Sequence, residues 1–123
     1  MNRTVLLIED NEQNRYLATF LLEKNGFSVV AALDGAQGIE LGKTTSPAVI
    51  LLDIQLPVMH GYDVARALRS IAALRDVPII AVTSYAMAGD RDKALAAGCD
   101  GYIEKPIDPE TFVSEISKFL PPG

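Results

Sequence analysis

Acids, hydroxyls, an amide and an ammonium recur directly after apolar runs of this chain: Glu9-Asp10-Asn11, Asp53-Ile54-Gln55-Leu56-Pro57, Thr83-Ser84 and Glu104-Lys105-Pro106. Taken singly, each has an ordinary explanation. An acid after a strand caps a helix or sits in a solvated loop, Thr83 can satisfy a strand end through its hydroxyl, and Lys105 can be one more exposed lysine. Asp53 resists that reading more than the others, because it directly ends the run Val49-Ile50-Leu51-Leu52. Brought together, Glu9, Asp10 and Asp53 repel one another, and the arrangement is sensible only with a cation among them. All-oxygen ligands favour Mg²⁺, and one histidine (His60) with one cysteine (Cys99) leaves zinc too few soft ligands. Carboxylates, a hard cation, a lysine and a hydroxyl suit phosphoryl transfer. A carboxylate attacks phosphorus to form an aspartyl phosphate, the cation and lysine balance charge, and the hydroxyl binds a phosphoryl oxygen.

Such residues converge only if the chain aligns the ends of those runs. Five short apolar runs, Val5 to Ile8, Val29 to Leu33, Ala48 to Leu52, Ile79 to Val82 and Tyr102 to Ile103, read as strands buried on both faces. Helical spacing lies between and after them: Leu17, Leu21 and Leu22, then Val64, Leu68 and Ile71, then Phe112, Val113, Ile116 and Leu120. Gly26, Gly98 and Gly101 stand where helices should end in a left-handed residue, Asp108-Pro109 reads as an N-cap followed by a first-turn proline, and Pro121-Pro122 stops the last helix. The alternation predicts one doubly wound α/β domain over residues 1–123, a parallel sheet with helices on both faces. Ligands of such a sheet bind beyond the carboxyl ends of its strands, where the four polar stretches fall.

Composition narrows the function classes. With 123 residues, 49% hydrophobic and 22% charged, the chain can enclose the core of one compact domain, which sets aside disorder and a two-domain reading. A net charge of −5 and the lack of any basic run argue against direct nucleic-acid binding. No apolar stretch approaches the roughly 20 residues that span a bilayer, and the segment after Met1 is too short and too soon acidic for a signal sequence, so membrane insertion is not expected. The single Cys99 can form no internal disulfide, and the chain reads as cytoplasmic. A nucleotide or flavin binder of this fold would want a Gly-rich loop after the first strand, where Glu9 and Asp10 stand instead. A hydrolase using Asp53 as nucleophile would want a second acid nearby as general acid, which Ile54-Gln55 does not supply.

Glu9-Asp10-Asn11, Leu52-Asp53-Ile54-Gln55-Leu56-Pro57-Val58-Met59-His60-Gly61, Val82-Thr83-Ser84 and Lys105-Pro106, in that order and spacing, resemble the receiver domain of two-component response regulators over the whole chain. The resemblance implies a flavodoxin-like five-stranded sheet of order 2-1-3-4-5 with five helices, and phosphorylation of Asp53. It also implies Mg²⁺ held by Asp10, Asp53 and the backbone carbonyl of Gln55, with Glu9 acting through a bound water. By the same resemblance Thr83 and Ser84 bind the phosphoryl group, Lys105 pairs with it, Tyr102 changes position when Thr83 moves, and Lys105–Pro106 is a cis peptide. A histidine kinase or histidine phosphotransfer protein would donate the phosphoryl group and a downstream signalling protein would read it. Gln55, Tyr85 and the Ala86-Met87-Ala88-Gly89-Asp90 segment look most like single-domain regulators of the DivK-like, cell-division type and like the receivers of hybrid histidine kinases. The chain would therefore be a stand-alone switch or, alternatively, a receiver cut from a longer regulator or hybrid kinase. His60 departs from the acid that many receivers carry at its position, and Tyr85 is bulkier than its usual counterpart.

Other residues have packing explanations. Leu17, Ala18 and Leu21 share one arc of the first helix, with Leu17 and Leu21 assigned to the core. Tyr16 and Phe20 lie together on its flank and are expected to form part of the docking surface for the phosphodonor protein. Met59 and Met87 read as gap-fillers and Cys99 as a small buried hydrophobe rather than a ligand or nucleophile. Tyr85 and Gln55 are expected to flank the approach of water to the phosphoryl group, with Tyr85 shielding it.

Overall fold

Leucine and β-branched side chains on an extended chain point alternately to opposite faces, so an unbroken apolar run becomes a strand wherever both faces find cover. In the computed structural model, which describes residues 2–84 and 89–120, this yields β1 (Thr4–Ile8), β2 (Ser28–Ala32), β3 (Val49–Asp53), β4 (Ile79–Thr83) and β5 (Gly101–Glu104). All pair in parallel, in the order β2-β1-β3-β4-β5. The crossovers are α1 (Glu12–Lys24), α2 (Gly35–Thr45), α3 (Gly61–Arg69) with a 3₁₀ turn at Ala72–Leu74, and α4 (Asp90–Ala96); α5 (Phe112–Ser117) follows β5. Among the described residues no helix is long and apolar enough to cross a membrane.

Period-two alternation divides the interior in two. Leu6, Ile8, Ile50, Leu52, Ile79 and Ala81 face Val64, Ala65 and Leu68 of α3 and Ala94 of α4. Val5, Leu7, Val49, Leu51, Ile80 and Val82 face Ala18 and Leu22 of α1 and Phe112 and Ile116 of α5. The face of α1 is thus rotated from the expected one: Ala18 and Leu22 are fully buried, while Leu17 and Leu21 only pack partly against them. The small Ala18 lets the helix sit close to the sheet, and that close seat decides which arc goes under.

Other boundaries also differ from the sequence reading. β2 is an edge strand, with Ser28 and Ala31 exposed and Leu33 beyond its end half exposed, because only β1 pairs with it. Gly26 and Gly98 are left-handed (φ 89° and 106°), but Gly101 is the first residue of β5. It is needed for space, since a Cβ there would lie 2.5 Å from Cζ of Phe119. Asp108 caps a turn rather than the helix itself: its carboxylate accepts from the Glu110 amide at 2.9 Å and its carbonyl from the Phe112 amide at 2.9 Å, so α5 begins three residues past the proline. The Pro121-Pro122 stop lies outside the described residues.

A seam of glycines docks α2. Gly35, Gly38 and Gly42 are buried on one face, where an added Cβ at Gly38 would stand 2.5 Å from Cδ1 of Ile8 and one at Gly42 3.0 Å from Cδ2 of Leu68. At the far end of α3, the Arg69 guanidinium donates to the carbonyls of Leu74, Arg75, Val77 and Gly98 and to the Asp100 carboxylate. One side chain thereby ties the α3–β4 connection to the start of β5.

Candidate functional site

The strand register brings the polar residues to one level. Asp53 ends β3 opposite Val82, Thr83 ends β4 opposite Glu104, and Glu9 directly follows β1, which pairs with β3. The chain leaves β1 outward to β2 and returns on its other side as β3, so the crevice between β1 and β3 is the switch point where open parallel sheets bind ligands. Glu9, Asp53 and Thr83 are 3%, 3% and 2% exposed, the buried polar side chains of an otherwise apolar interior among the described residues.

Lys105, directly after β5, bridges the acids. Its Nζ lies 2.8 Å from Oε1 of Glu9 and 3.3 Å from Oδ2 of Asp53. The second oxygen of each acid takes a backbone donor: Asn11 N–H to Glu9 Oε2 at 3.3 Å and Gln55 N–H to Asp53 Oδ1 at 2.9 Å. Carboxylate oxygens of Glu9, exposed Asp10 and Asp53 all lie within 4.8 Å of one another. One ammonium cannot neutralise three carboxylates, and the imbalance appears at Glu9. Its carboxyl is pushed up from 4.5 to about 7, first by burial and then by the neighbouring Asp53, with Lys105 pulling the other way. Three converging oxygen donors with an uncompensated charge are what a hard divalent cation requires. Among the described residues, no histidine or cysteine joins the cluster.

Surrounding residues hold this cluster in shape. Arg15 Nη1 donates to the carbonyls of Glu9 and Asp10, at 3.1 and 3.2 Å, and fixes the loop between β1 and α1. Gly61 accepts no side chain, because a Cβ would come within 2.5 Å of Ile54 Cα and 2.9 Å of the Asp53 carbonyl. Val58 turns the β3–α3 loop with φ 70°, where the Met59 amide donates to the Pro57 carbonyl at 2.7 Å in a tight three-residue turn, and its side chain is fully exposed. His60 closes the loop as N-cap of α3, its Nδ1 accepting from the Tyr62 amide at 3.1 Å, so it serves the helix and not the acid cluster.

The end of β4 is linked both to β3 and to β5. Gln55 Nε2 donates to Thr83 Oγ1, and Gln55 Oε1 accepts from the Ser84 amide at 3.0 Å. Tyr102 shares a hydrogen bond with Thr83, and its phenol is raised above the ordinary value by burial and by Asp90 and Glu104. Tyr62 of α3 donates from its hydroxyl to the Asp90 carbonyl at 3.2 Å, the first residue of α4. The Lys105–Pro106 peptide is cis. Tyr85 and Met87 lie outside the described residues. Met59 is half-buried beside Gly35, while Cys99 is buried and its thiol is pushed up to about 11 by that burial, a packing residue rather than a nucleophile.

The structure therefore brings Glu9, Asp10, Asp53, Gln55, Thr83, Ser84, Tyr102, Lys105 and Pro106 to one end of the sheet. Tyr16 and Phe20 do not join them: they stand 74% and 50% exposed on α1 and line a separate groove of about 480 Å³ with Glu12, Arg15, Thr19 and Glu23. Sequence reasoning missed the Gln55 side-chain bonds, the Arg15 brace and the Tyr62 link. The Arg15 brace had a faint signal, a basic residue one helical turn past a polar loop, whereas the other two need the strand register.

Residues 5–117 match the model of the response regulator receiver domain. The chain is 38% identical over 120 residues to the polar-differentiation response regulator DivK of Brucella ovis, covering 98% of each. Among solved structures it resembles the receiver domain of sensor histidine kinase PA1611 from Pseudomonas aeruginosa PAO1, solved with magnesium coordinated in the active site cleft. That likeness has TM-score 0.88 and 33% identity, and covers 97% of this chain and 98% of that one. Chemotaxis protein CheY4 of Vibrio cholerae superposes with TM-score 0.93 at 26% identity, over 98% of this chain and all (100%) of that one.

Proposed function

This chain belongs to the response regulator receiver family, and from that membership we propose that it is a signalling switch set by phosphorylation of Asp53. The observation that carries the assignment is the placement of the buried Asp53 carboxylate against Lys105 Nζ, 3.3 Å away, within a set of three oxygen donors that lacks one cation of balance. An Asp53 oxygen attacks the phosphorus of a phosphohistidine or of a small acyl phosphate. The new bond is O–P, and the bond that breaks is P–N of the imidazole or P–O of the acyl phosphate, whose leaving group departs with the electron pair. Asp10, Asp53 and the Gln55 carbonyl would hold Mg²⁺, with Glu9 behind a water, and the ion supplies charge neutralisation for the transferring group. Lys105 supplies a second positive charge, and Thr83 and Ser84 offer a hydroxyl and an amide hydrogen to the phosphoryl oxygens.

A signalling role follows from the family, and the finer reading is a covalent switch rather than a turnover enzyme. Residues 1–123 act as one cytoplasmic receiver unit with a histidine kinase or histidine phosphotransfer protein as donor and a further signalling protein as reader. Tyr16 and Phe20 form part of the donor's docking surface on α1, two exposed aromatics beside the Asp10 loop. Intact-mass analysis after incubation with acetyl phosphate and Mg²⁺ tests the assignment. One added phosphoryl group is expected on the wild type and none on Asp53→Asn, whose amide is no nucleophile; equal labelling of the two proteins would overturn it.

A further inference from the structure

A carboxamide is a donor at one end and an acceptor at the other, and Gln55 uses both ends on the same short stretch of β4. Its Nε2 donates to the Thr83 hydroxyl oxygen and its Oε1 accepts from the Ser84 amide at 3.0 Å. Its own backbone amide donates at 2.9 Å to Asp53. One residue thus spans the gap between the acid on β3 and the polar end of β4.

We propose that the Gln55 side chain is a resting-state latch, a positioning residue that occupies the phosphoryl-binding groups of β4 until Asp53 is phosphorylated. The inference rests on the reading of Asp53 as phosphoacceptor and adds a regulatory step to that site. The Ser84 amide has a single hydrogen, already directed at Gln55 Oε1, and a phosphoryl oxygen must take that hydrogen from it. The Thr83 hydroxyl, oriented by accepting from Gln55 and by its hydrogen bond with Tyr102, must turn toward the new anion at the same time. The exchange is favourable because a charged oxygen is a stronger acceptor than a neutral amide oxygen. It releases the β3–α3 loop from β4 and alters the partner that Tyr102 sees. The latch therefore sets how much phosphodonor is needed to throw the switch and couples phosphorylation to Tyr102.

Gln55→Ala tests this with two readouts. With acetyl phosphate and Mg²⁺, the variant should reach half-maximal labelling at about five- to tenfold lower donor concentration than wild type, the scale expected when one or two ordinary hydrogen bonds no longer oppose the change. In the unlabelled proteins, the Ser84 amide of the variant should exchange its hydrogen at least about tenfold faster, with its resonance displaced toward the position it takes in labelled wild type. In labelled wild type the Gln55 side-chain NH₂ resonances should move. Labelling at the wild-type donor concentration, or a Ser84 amide equally protected in both proteins, would overturn the latch while leaving Asp53 as acceptor. Absence of any labelling in wild type would instead overturn the phosphoacceptor reading, and the exchange measurement would still decide whether Gln55 holds β4.

Discussion

Replacing Glu9 by glutamine removes a strongly displaced acid while keeping its shape, and the expected result is a protein that lacks the loss of stability Glu9 imposes between acid and neutral pH. The Glu9 carboxyl is raised from 4.5 to about 7, chiefly by burial and then by Asp53. Between those values the folded state keeps a proton that the unfolded chain has lost. Stability from this group is therefore fully present below about 4.5, declines as pH rises, and is gone above about 7. That displacement corresponds to about 3 kcal/mol as a ceiling, since the proton is shared within the Glu9, Asp53 and Lys105 set. For a domain of this size it is a melting difference on the order of 10 °C. Urea and thermal unfolding by circular dichroism, in EDTA between pH 4.5 and 8, gives the comparison. Glu9→Gln should match wild type at the acid end and exceed it by up to about 3 kcal/mol at pH 8. Titrating groups that do not touch Glu9 are common to both proteins and cancel in the difference, whereas Asp53 and Lys105, which share its proton, do not, which is why the figure is a ceiling. Stability curves that run parallel across the whole range would refute the claim that a buried, under-compensated Glu9 strains the metal-free site.

Mg²⁺ at about ten times its dissociation constant should stabilise wild type by roughly 1.4 kcal/mol, a melting rise of about 3 to 8 °C, and Asp10→Ala should lose most of it; equal responses in calorimetry would remove Asp10 from the ion. Alanine at both Tyr16 and Phe20 should slow phosphoryl transfer from a protein donor and leave labelling by acetyl phosphate intact, whereas equal slowing with both donors points to damage at the site. Val58→Gly should raise the free energy of unfolding measured in urea by about 1 kcal/mol, because a branched residue at φ 70° with a fully exposed side chain carries backbone strain that no packing offsets; a lowered free energy contradicts this. Arg69→Ala should destabilise by about 2 to 4 kcal/mol, since it leaves four carbonyls and Asp100 without their shared donor, and a loss under 1 kcal/mol in denaturant unfolding would mean water replaces it readily.

Strands could be read from sequence because apolar runs such as Val49-Ile50-Leu51-Leu52 admit few other fates once helical segments separate them, whereas their order in the sheet came only with the family resemblance. Asp53, Asp10, Thr83 and Lys105 were legible for the same reason: each follows such a run, and parallel pairing brings run ends together. What escaped depended on distances between elements. That Lys105 would approach Glu9 more closely than Asp53 is a matter of β5's offset along β4. The rotation of α1 toward Ala18 and Leu22 depends on how near a small residue lets a helix approach, which periodicity alone does not fix. Gly101 looked like a helix stop, and only the ring of Phe119 above it explains why β5 starts without a side chain.

The glycine seam of α2 bears on how the domain comes apart. Two interior glycines, Gly38 and Gly42, each cost about 1 kcal/mol of helix propensity relative to alanine, and an eleven-residue segment so composed has no stability of its own in water. Its order is conferred by Ile8, Val64 and Leu68 beneath it, next to an edge strand with a single neighbour. Thermal fluctuation should therefore detach β2 and α2 together, as a sub-global opening. Glu9, Asp53, Thr83 and Lys105 belong to the remaining four strands, or adjoin them, so breathing at this edge reaches the acid cluster through a single backbone bond, from the Glu9 amide to the Ala32 carbonyl at the end of β2 (3.0 Å).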